Sequence, residues 1–325
     1  MKHLILFASL LFVFAGCSSK EYFEPENTAG DYELSESKAL NGSISYFNKD
    51  GATLDSQDII TKRGVSQFKI PEGYKFLNIV DDTVIASNYK DTVLVGEKEI
   101  KVDAVVVAAS KNNNKLALLF SDNSIMLYDM NTEKTLLKEY YTHSFVNDTR
   151  IANPYFMSNI ILFPTLDGKI IVVSDSNNKI VRNIVVDPNG QFNNIIFLDV
   201  VDDTLVAATA NKVISVGQGT VNLKDYNVRD IITKDKNIYI ATIDGQIIKT
   251  DISLNIVDRR KYKFAKIYSL AYGESLYALE SQGYLIKISQ DFKTDAIYEL
   301  DFDEEKKVIA LEDTIYYDDE FIILK

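Results

Sequence analysis

From about residue 41 onward, apolar positions gather into short runs of β-branched and aromatic residues, broken by polar turns every eight to twelve residues. Runs of that length predict strands, and their spacing predicts a sandwich, a barrel or a propeller. One pattern recurs, a polar turn leading into an apolar strand. It reads Asp82-Thr83-Val84-Ile85-Ala86, Asn114-Lys115-Leu116-Ala117-Leu118, Ser158-Asn159-Ile160-Ile161-Leu162 and Asp203-Thr204-Leu205-Val206-Ala207. It continues as Lys236-Asn237-Ile238-Tyr239-Ile240, Glu274-Ser275-Leu276-Tyr277-Ala278 and Asp313-Thr314-Ile315-Tyr316-Tyr317. Between the second residues of successive copies the steps are 32, 44, 45, 33, 38 and 39, which marks a repeat architecture of seven visible units.

Each copy is followed by a tight turn and a second strand, as in Asp167-Gly168-Lys169-Ile170-Ile171 and Asp244-Gly245-Gln246-Ile247-Ile248. Asp-Gly between apolar runs favours a type I′ hairpin, because both central positions need positive φ. Another apolar strand precedes most copies, for instance Phe76 to Val80 and Ile195 to Val201, and a more polar one follows, for instance Ile180 to Val186 and Ile256 to Lys263. The unit is therefore a four-stranded antiparallel meander. Such a unit cannot bury both of its faces alone, and radial stacking hides them, which predicts an all-β fold of the β-propeller type. Seven blades are expected, with eight as the alternative. The last unit ends at Phe321-Ile322-Ile323-Leu324-Lys325 with three strands made, so an N-terminal strand, within Ser43 to Phe47 or Ala52 to Ile60, is expected to complete it. If both of those runs belong to a unit of their own, the count becomes eight.

The first residues have a different texture. Met1-Lys2-His3 is followed by an apolar stretch from Leu4 to Ala15 and then Gly16-Cys17-Ser18-Ser19, the layout of a secretory signal and too short to span a bilayer. Phe14-Ala15-Gly16-Cys17 resembles the lipobox of bacterial lipoproteins, which implies cleavage after residue 16 and a lipid on Cys17. Cys17 is also the sole cysteine of the 325 residues, so no disulfide can form within the chain. Ser18 after it matches the pattern that directs such proteins to the outer membrane. Residues 18–40 are rich in Glu, Ser and Asn without periodicity. The expected organisation is a signal peptide over 1–16, a lipidated flexible tether over 17–40 and a propeller over 41–325.

Charge and chemistry narrow the function. The formal charge is −12, which argues against nucleic acid as a partner and against binding anionic lipid through the protein face. The two histidines are His3 and His143, so the mature chain keeps His143 alone, too little for a His-rich zinc site. Neither the P-loop pattern nor G-x-G-x-x-G occurs; Gly217-Gln218-Gly219 reads as a hairpin turn. Ser174 to Asn178, Asp187-Pro188-Asn189-Gly190 and Asp122-Asn123-Ser124 offer oxygens of the kind calcium takes, but none has the spacing of a dedicated calcium loop, and turns account for them. Asp81-Asp82, Asp202-Asp203 and Glu312-Asp313 recur at one place in three units, which points to a turn requirement. No catalytic, cofactor-binding or metal residues are expected, and the chain is expected not to be an enzyme.

Signal, lipid cysteine and tandem four-stranded units together resemble the pyrroloquinoline-quinone-type propeller lipoproteins, above all the BamB-like outer-membrane assembly factors. Asp122 to Lys134 carries the likeness: a turn, a strand and a D-x-x-T-G-K-like turn at Asp129-Met130-Asn131-Thr132-Glu133-Lys134, with Ser124 and Glu133 where the family has glycine. Asp244 to Asp251 is a looser copy. The resemblance implies a lipid-anchored periplasmic scaffold whose partners are proteins of the outer-membrane assembly machinery, held to the membrane only through the lipid. Two rivals stand beside it. One is a propeller lyase or hydrolase acting on a carbohydrate or lactone; the other is a surface-exposed adhesin or ligand-binding lipoprotein.

Overall fold

Eight four-stranded antiparallel sheets account for all thirty-two strands among the residues described in this computed structural model, namely 21–32, 37–142, 144, 150–188, 193–217, 219–300 and 305–324. The sheets follow one another along the chain as blades 1 to 7, over residues 44–69, 75–101, 106–140, 155–185, 197–225, 228–261 and 267–299. Blade 8 consists of Val308–Leu311, Thr314–Tyr317 and Glu320–Ile323 plus Lys38–Ala39, which pairs as Lys38 with Phe321 and Ala39 with Glu320.

The ring is shut by packing as well as by that strand. Eight apolar clusters fill the eight seams between blades, and the one joining the two ends of the ring sets Ile44, Ala52, Leu54 and Ile60 of blade 1 against Ile309, Leu311 and Tyr316 of blade 8. Middle strands are covered by a blade on each side, so they read as unbroken apolar runs rather than alternating ones; Leu116 to Phe120 is wholly buried. Outer strands carry the polar residues that the sequence shows at the end of each unit.

Eight blades rather than seven form because both early runs join one complete blade. In blade 1 the second strand is Gly51–Leu54, and Asp50-Gly51 there replaces the polar-pair-plus-long-strand pattern of the other units, which hides the repeat. The expected closure by an N-terminal strand is present, but the strand is Lys38–Ala39, two exposed residues upstream of either expected run. Nothing apolar marks it.

Part of the span 17–40 also lies against the ring. Ala29 N donates to Ile297 O (2.7 Å), Glu299 N to Gly30 O (3.0 Å) and Tyr32 N to Glu299 O (2.8 Å), so residues 29–32 add alongside the outer strand of blade 7, with Asp31 facing Glu299 in parallel. Phe23 and Tyr32 sink rings into the seams on either side of that blade.

Candidate functional site

In an antiparallel meander the innermost and second strands are joined at one end of the ring, here the upper face, while the links between blades lie at the other, lower face. The ring axis holds a cavity of about 640 Å³ opening upward and one of about 670 Å³ opening downward. Lys49 lines both.

Lys49 and Asp50 form the turn between the first two strands of blade 1. Asn48 Nδ2 donates to Phe76 O and Leu77 O (3.0 Å each), near the lower start of the neighbouring inner strand Lys75–Val80. Blade 1 thus sits low, and its turn falls inside the channel instead of above it. Gly51 permits this approach: a Cβ there would come 2.2 Å from Ile60 O and 2.5 Å from the Phe76 ring.

From this turn one ion pair reaches across the channel and another closes back on blade 1. Lys49 pairs with Asp230 on the inner strand of blade 6, and Asp50 pairs with Lys62 at 2.6 Å while accepting from Asn153 Nδ2 at 2.5 Å. Burial alone would raise the Asp50 carboxyl, but Lys62, Asn153 and the more distant Lys49 outweigh it and hold the group below its ordinary range. Lys62 is raised in turn, chiefly by Asp50 and against the effect of burial.

A repeated latch fixes the inner strands. Asn78, Asp199 and Asp230 each accept from the next residue's backbone N, at 2.8, 2.8 and 2.9 Å, and bond to the following blade through the other atom of the side chain. Their partners there are Ala109 O (3.0 Å), the Thr233 hydroxyl and Leu270 N (2.7 Å). Bulges just before Asn78 and Asp230 turn these side chains toward the neighbour. The sequence signal is a single Asn or Asp inside an apolar run, as in Phe76-Leu77-Asn78-Ile79-Val80 and Phe197-Leu198-Asp199-Val200-Val201.

The two mouths differ in charge. Lys49, Lys62, Lys111 and Lys234 line the upper cavity with Asp50, Asp81, Asp199 and Glu312, which leaves it balanced. Lining the lower one are Lys49, Arg150, Arg229, Lys306 and Lys307 with Asp230 as the carboxylate, which leaves it positive in an acidic protein.

Of the residues singled out by sequence, Cys17 and His143 lie outside the described residues, as do Gln218, Asn189 and Gly190. Asp81-Asp82 and Asp202-Asp203 take φ values of 47° and 59°, and 47° and 58°, in turns at the upper face, and Glu312 takes 51°; the recurrence is a turn requirement. Asp175 and Asn178 accept from Lys115 of blade 3, and Asp122 accepts from Ser124 N. Asp129 accepts from Asn131 N and Thr132 N while Glu133 stands at φ 56°, so the glycine usual there answers a conformational need. The turn that crosses the channel and Asn153 were not found by sequence reasoning; Asp50-Gly51 is the signal that could have marked the hairpin.

No family model matches the chain. The plasminogen-binding protein PgbB of Helicobacter pylori is 28% identical over an aligned length of 350 residues, covering 91% of this chain and 64% of the relative. The same protein from a second strain is also 28% identical with the same coverage. This chain therefore spans a little under two thirds of the length of the curated relatives it matches. Among solved structures, BamB from Moraxella catarrhalis superposes with a TM-score of 0.64 at 13% identity, covering 88% of this chain and 97% of that one. The computationally designed Ika8 protein gives 0.61 at 14% (88% and 98% covered), and Sqt1 from Saccharomyces cerevisiae gives 0.58 at 11% (93% and 99%). At such identities the structural likeness speaks for fold alone: the chain is an eight-bladed β-propeller, similar in fold to BamB and in sequence to a plasminogen-binding protein.

Proposed function

We propose that this chain is a lipid-anchored outer-membrane protein, acylated on Cys17 after removal of residues 1–16, whose propeller is a non-enzymatic scaffold that binds other proteins. The observation that carries this reading is the likeness over 91% of the chain to a protein named for binding plasminogen. The ring supports it. Its channel is crossed by the chain's own Lys49–Asp230 ion pair, whereas the outer strands of blades 4 and 5 expose Val181, Val185, Val221 and Leu223, at 57%, 45%, 57% and 45%. Exposed apolar side chains grouped on adjacent blades are what a protein partner covers.

Plasminogen is the first ligand to test. The mature chain is immobilised and titrated with plasminogen, and saturable binding that Val181→Lys and Leu223→Lys together abolish is the expected result. No saturable binding removes plasminogen as the ligand. A second reading, a part in assembling outer-membrane barrels, is favoured by residues 29–32, which show that a blade edge accepts an added strand. Recovery of barrel-assembly components from solubilised envelopes supports that role, and their absence excludes it. Protease shaving of intact cells separates the two locations, since a plasminogen binder faces outward and an assembly scaffold faces the periplasm.

A further inference from the structure

The N-terminal segment that packs on blade 7 fixes where a lipid on Cys17 would leave the ring. Phe23 is buried at the seam of blades 6 and 7, edge-on to Tyr262 at 6.2 Å and to Tyr284 at 5.6 Å. Tyr262 begins the link from the outer strand Ile256–Lys261 to blade 7, and Tyr284 opens the third strand Tyr284–Ile288 after the turn from the second. Both positions lie on the lower face. Only residues 18–22 separate Cys17 from Phe23, an interval that spans about 20 Å even when fully extended. A lipid on Cys17 would therefore hold the lower face of blades 6 and 7 close to the bilayer.

That face has the side chains such a position calls for. Residues 256–266 hold five Lys or Arg and one Asp, and the link at their lower end, 261–266, holds Lys261, Lys263 and Lys266 with no acid of its own, Lys261 being paired with Asp244. Lys263 lies 4.4 Å from the Phe264 ring centroid, and the Arg229 guanidinium 5.4 Å from that of Tyr268. Lys307 donates to Ser45 O, and Arg229 Nε donates to Ile267 O. None of Arg229, Lys263, Lys266 and Lys307 is paired with a carboxylate among the described residues, and all four are exposed. Beside them Ile243, in the turn between the second and third strands of blade 6, is 61% exposed, with Tyr22 and Phe264 at 47% and 38%. Glu21, Glu24 and Glu26 on the N-terminal segment temper this charge, as do Asp244 and Asp295, which pair with Lys261 and Arg260: over 21–26, 229, 244, 256–266, 295 and 307 the sum is +1, and the cations left without a carboxylate are the ones a bilayer can meet.

We propose that the lower face of blades 6 and 7 is a docking surface for an anionic phospholipid bilayer, acting together with the lipid on Cys17. The inference rests on the acylation reading above. A lipoprotein lipid carries more than one acyl chain and holds the protein at the membrane by itself; a basic patch beside that anchor adds a second contact that decides which face of the ring lies on the bilayer. Each cation near an anionic surface is worth about fivefold in affinity at moderate salt.

The test uses the mature chain from position 17 with Cys17→Ser, so that no lipid contributes. It is mixed with vesicles of phosphatidylcholine alone, or with one third phosphatidylglycerol. Expected are at least about tenfold tighter binding to the anionic vesicles, loss of that preference in Lys263→Glu/Lys266→Glu, and its retention in Lys179→Glu/Arg182→Glu on blade 4. An environment-sensitive dye on Ile243→Cys, the single thiol of that chain, shifts to the blue on the anionic vesicles, whereas one on Val181→Cys does not. Equal binding to both vesicles, or a preference that survives the blade 6 reversal, overturns the docking face whatever the state of Cys17. Acylation is read separately from the mass of the Cys17 peptide in the wild-type protein. An unmodified Cys17 overturns the anchor, even where vesicle binding persists.

Discussion

Lys49, in the first turn of blade 1, is ion-paired with Asp230 on the inner strand of blade 6, and Asp230 also accepts from Leu270 N of blade 7 at 2.7 Å. One carboxylate thus ties together three blades, two of them on different sides of the channel. Both partners are largely withdrawn from water, with side chains 20% and 7% exposed. Pairs of this kind contribute little net stability when intact, since desolvation offsets attraction, but removing one partner strands the other.

Asp230→Ala leaves the Lys49 ammonium without its partner and Leu270 N without an acceptor. The expected loss is about 3–5 kcal/mol. Asp230→Asn keeps an acceptor for Leu270 N and is expected to lose less. Urea midpoints at constant m-value give both numbers, and an alanine variant within about 1 kcal/mol of wild type would show that the ion pair does not hold the ring.

Asp50 makes stability depend on acid. Its folded pKa lies below the ordinary 3.8, held there by Lys62, Asn153 and Lys49 against the effect of burial. The stabilisation is therefore fully present above the unfolded value and is lost as pH falls through the folded one, below about pH 4. Chemical denaturation between pH 5 and pH 2 should show a decline that is shallower in Asp50→Asn. Parallel slopes for the two proteins would mean that the shift does not occur.

The N-terminal segment should release without unfolding the ring, because its backbone bonds run to the outer strand of blade 7 and not into a middle strand. Phe23→Ala removes a ring wedged against Tyr262 and Tyr284. Hydrogen exchange at the amides of Ala29, Tyr32 and Glu299 is expected to speed at least about tenfold, while the middle strand Leu276–Glu280 stays protected to the global limit. Faster exchange throughout blade 7 would show that the segment is part of the blade's cooperative unit.

The repeats were legible because each middle strand is apolar on both faces and each turn needs positive φ, so that Thr83-Val84-Ile85-Ala86 and Asp202-Asp203 announce themselves locally. Blade 1 escaped because its second strand is four residues long and opens on Gly51, chosen for clearance against Phe76 rather than for strand propensity. Lys38–Ala39 escaped because an outer strand of two exposed residues buries nothing and so carries no pattern. The site was harder still. Lys49 and Asp230 are 181 positions apart, and only the low seating of blade 1 brings them together. Asp230 carried less of a signal than Asn78 or Asp199, since it follows Arg229 ahead of Ile231-Ile232, and nothing local says which blade it reaches.

Gly51 gives a steric prediction. Its backbone is not in the left-handed region, so the penalty of a side chain comes from space alone: the Ile60 carbonyl at 2.2 Å cannot give way without breaking blade 1. Gly51→Ala is expected to cost at least about 3 kcal/mol and to lower the midpoint of thermal unfolding. Gly73→Ala is the comparison, since nothing lies within 4 Å of a Cβ there although φ is +83°, and only backbone strain is incurred. If the two variants unfold together, the tight approach of blade 1 to Phe76 is not as described.

Glu133 offers the opposite case, a position where change should stabilise. It holds φ at 56°, which costs a residue with a side chain about 1 kcal/mol relative to glycine. In return it pairs with Lys98 at 2.7 Å, a contact open to solvent with side chains 44% and 65% exposed. Surface pairs of that kind contribute little once screened by solvent and salt, so backbone relief outweighs the lost pair. Glu133→Gly is expected to gain about 0.5 kcal/mol, and more at high salt relative to the wild type, because salt weakens the pair the wild type depends on. Denaturation at 0.05 M and 1 M NaCl measures both. A variant less stable than wild type at 1 M would mean that Glu133 does more in this turn than hold Lys98.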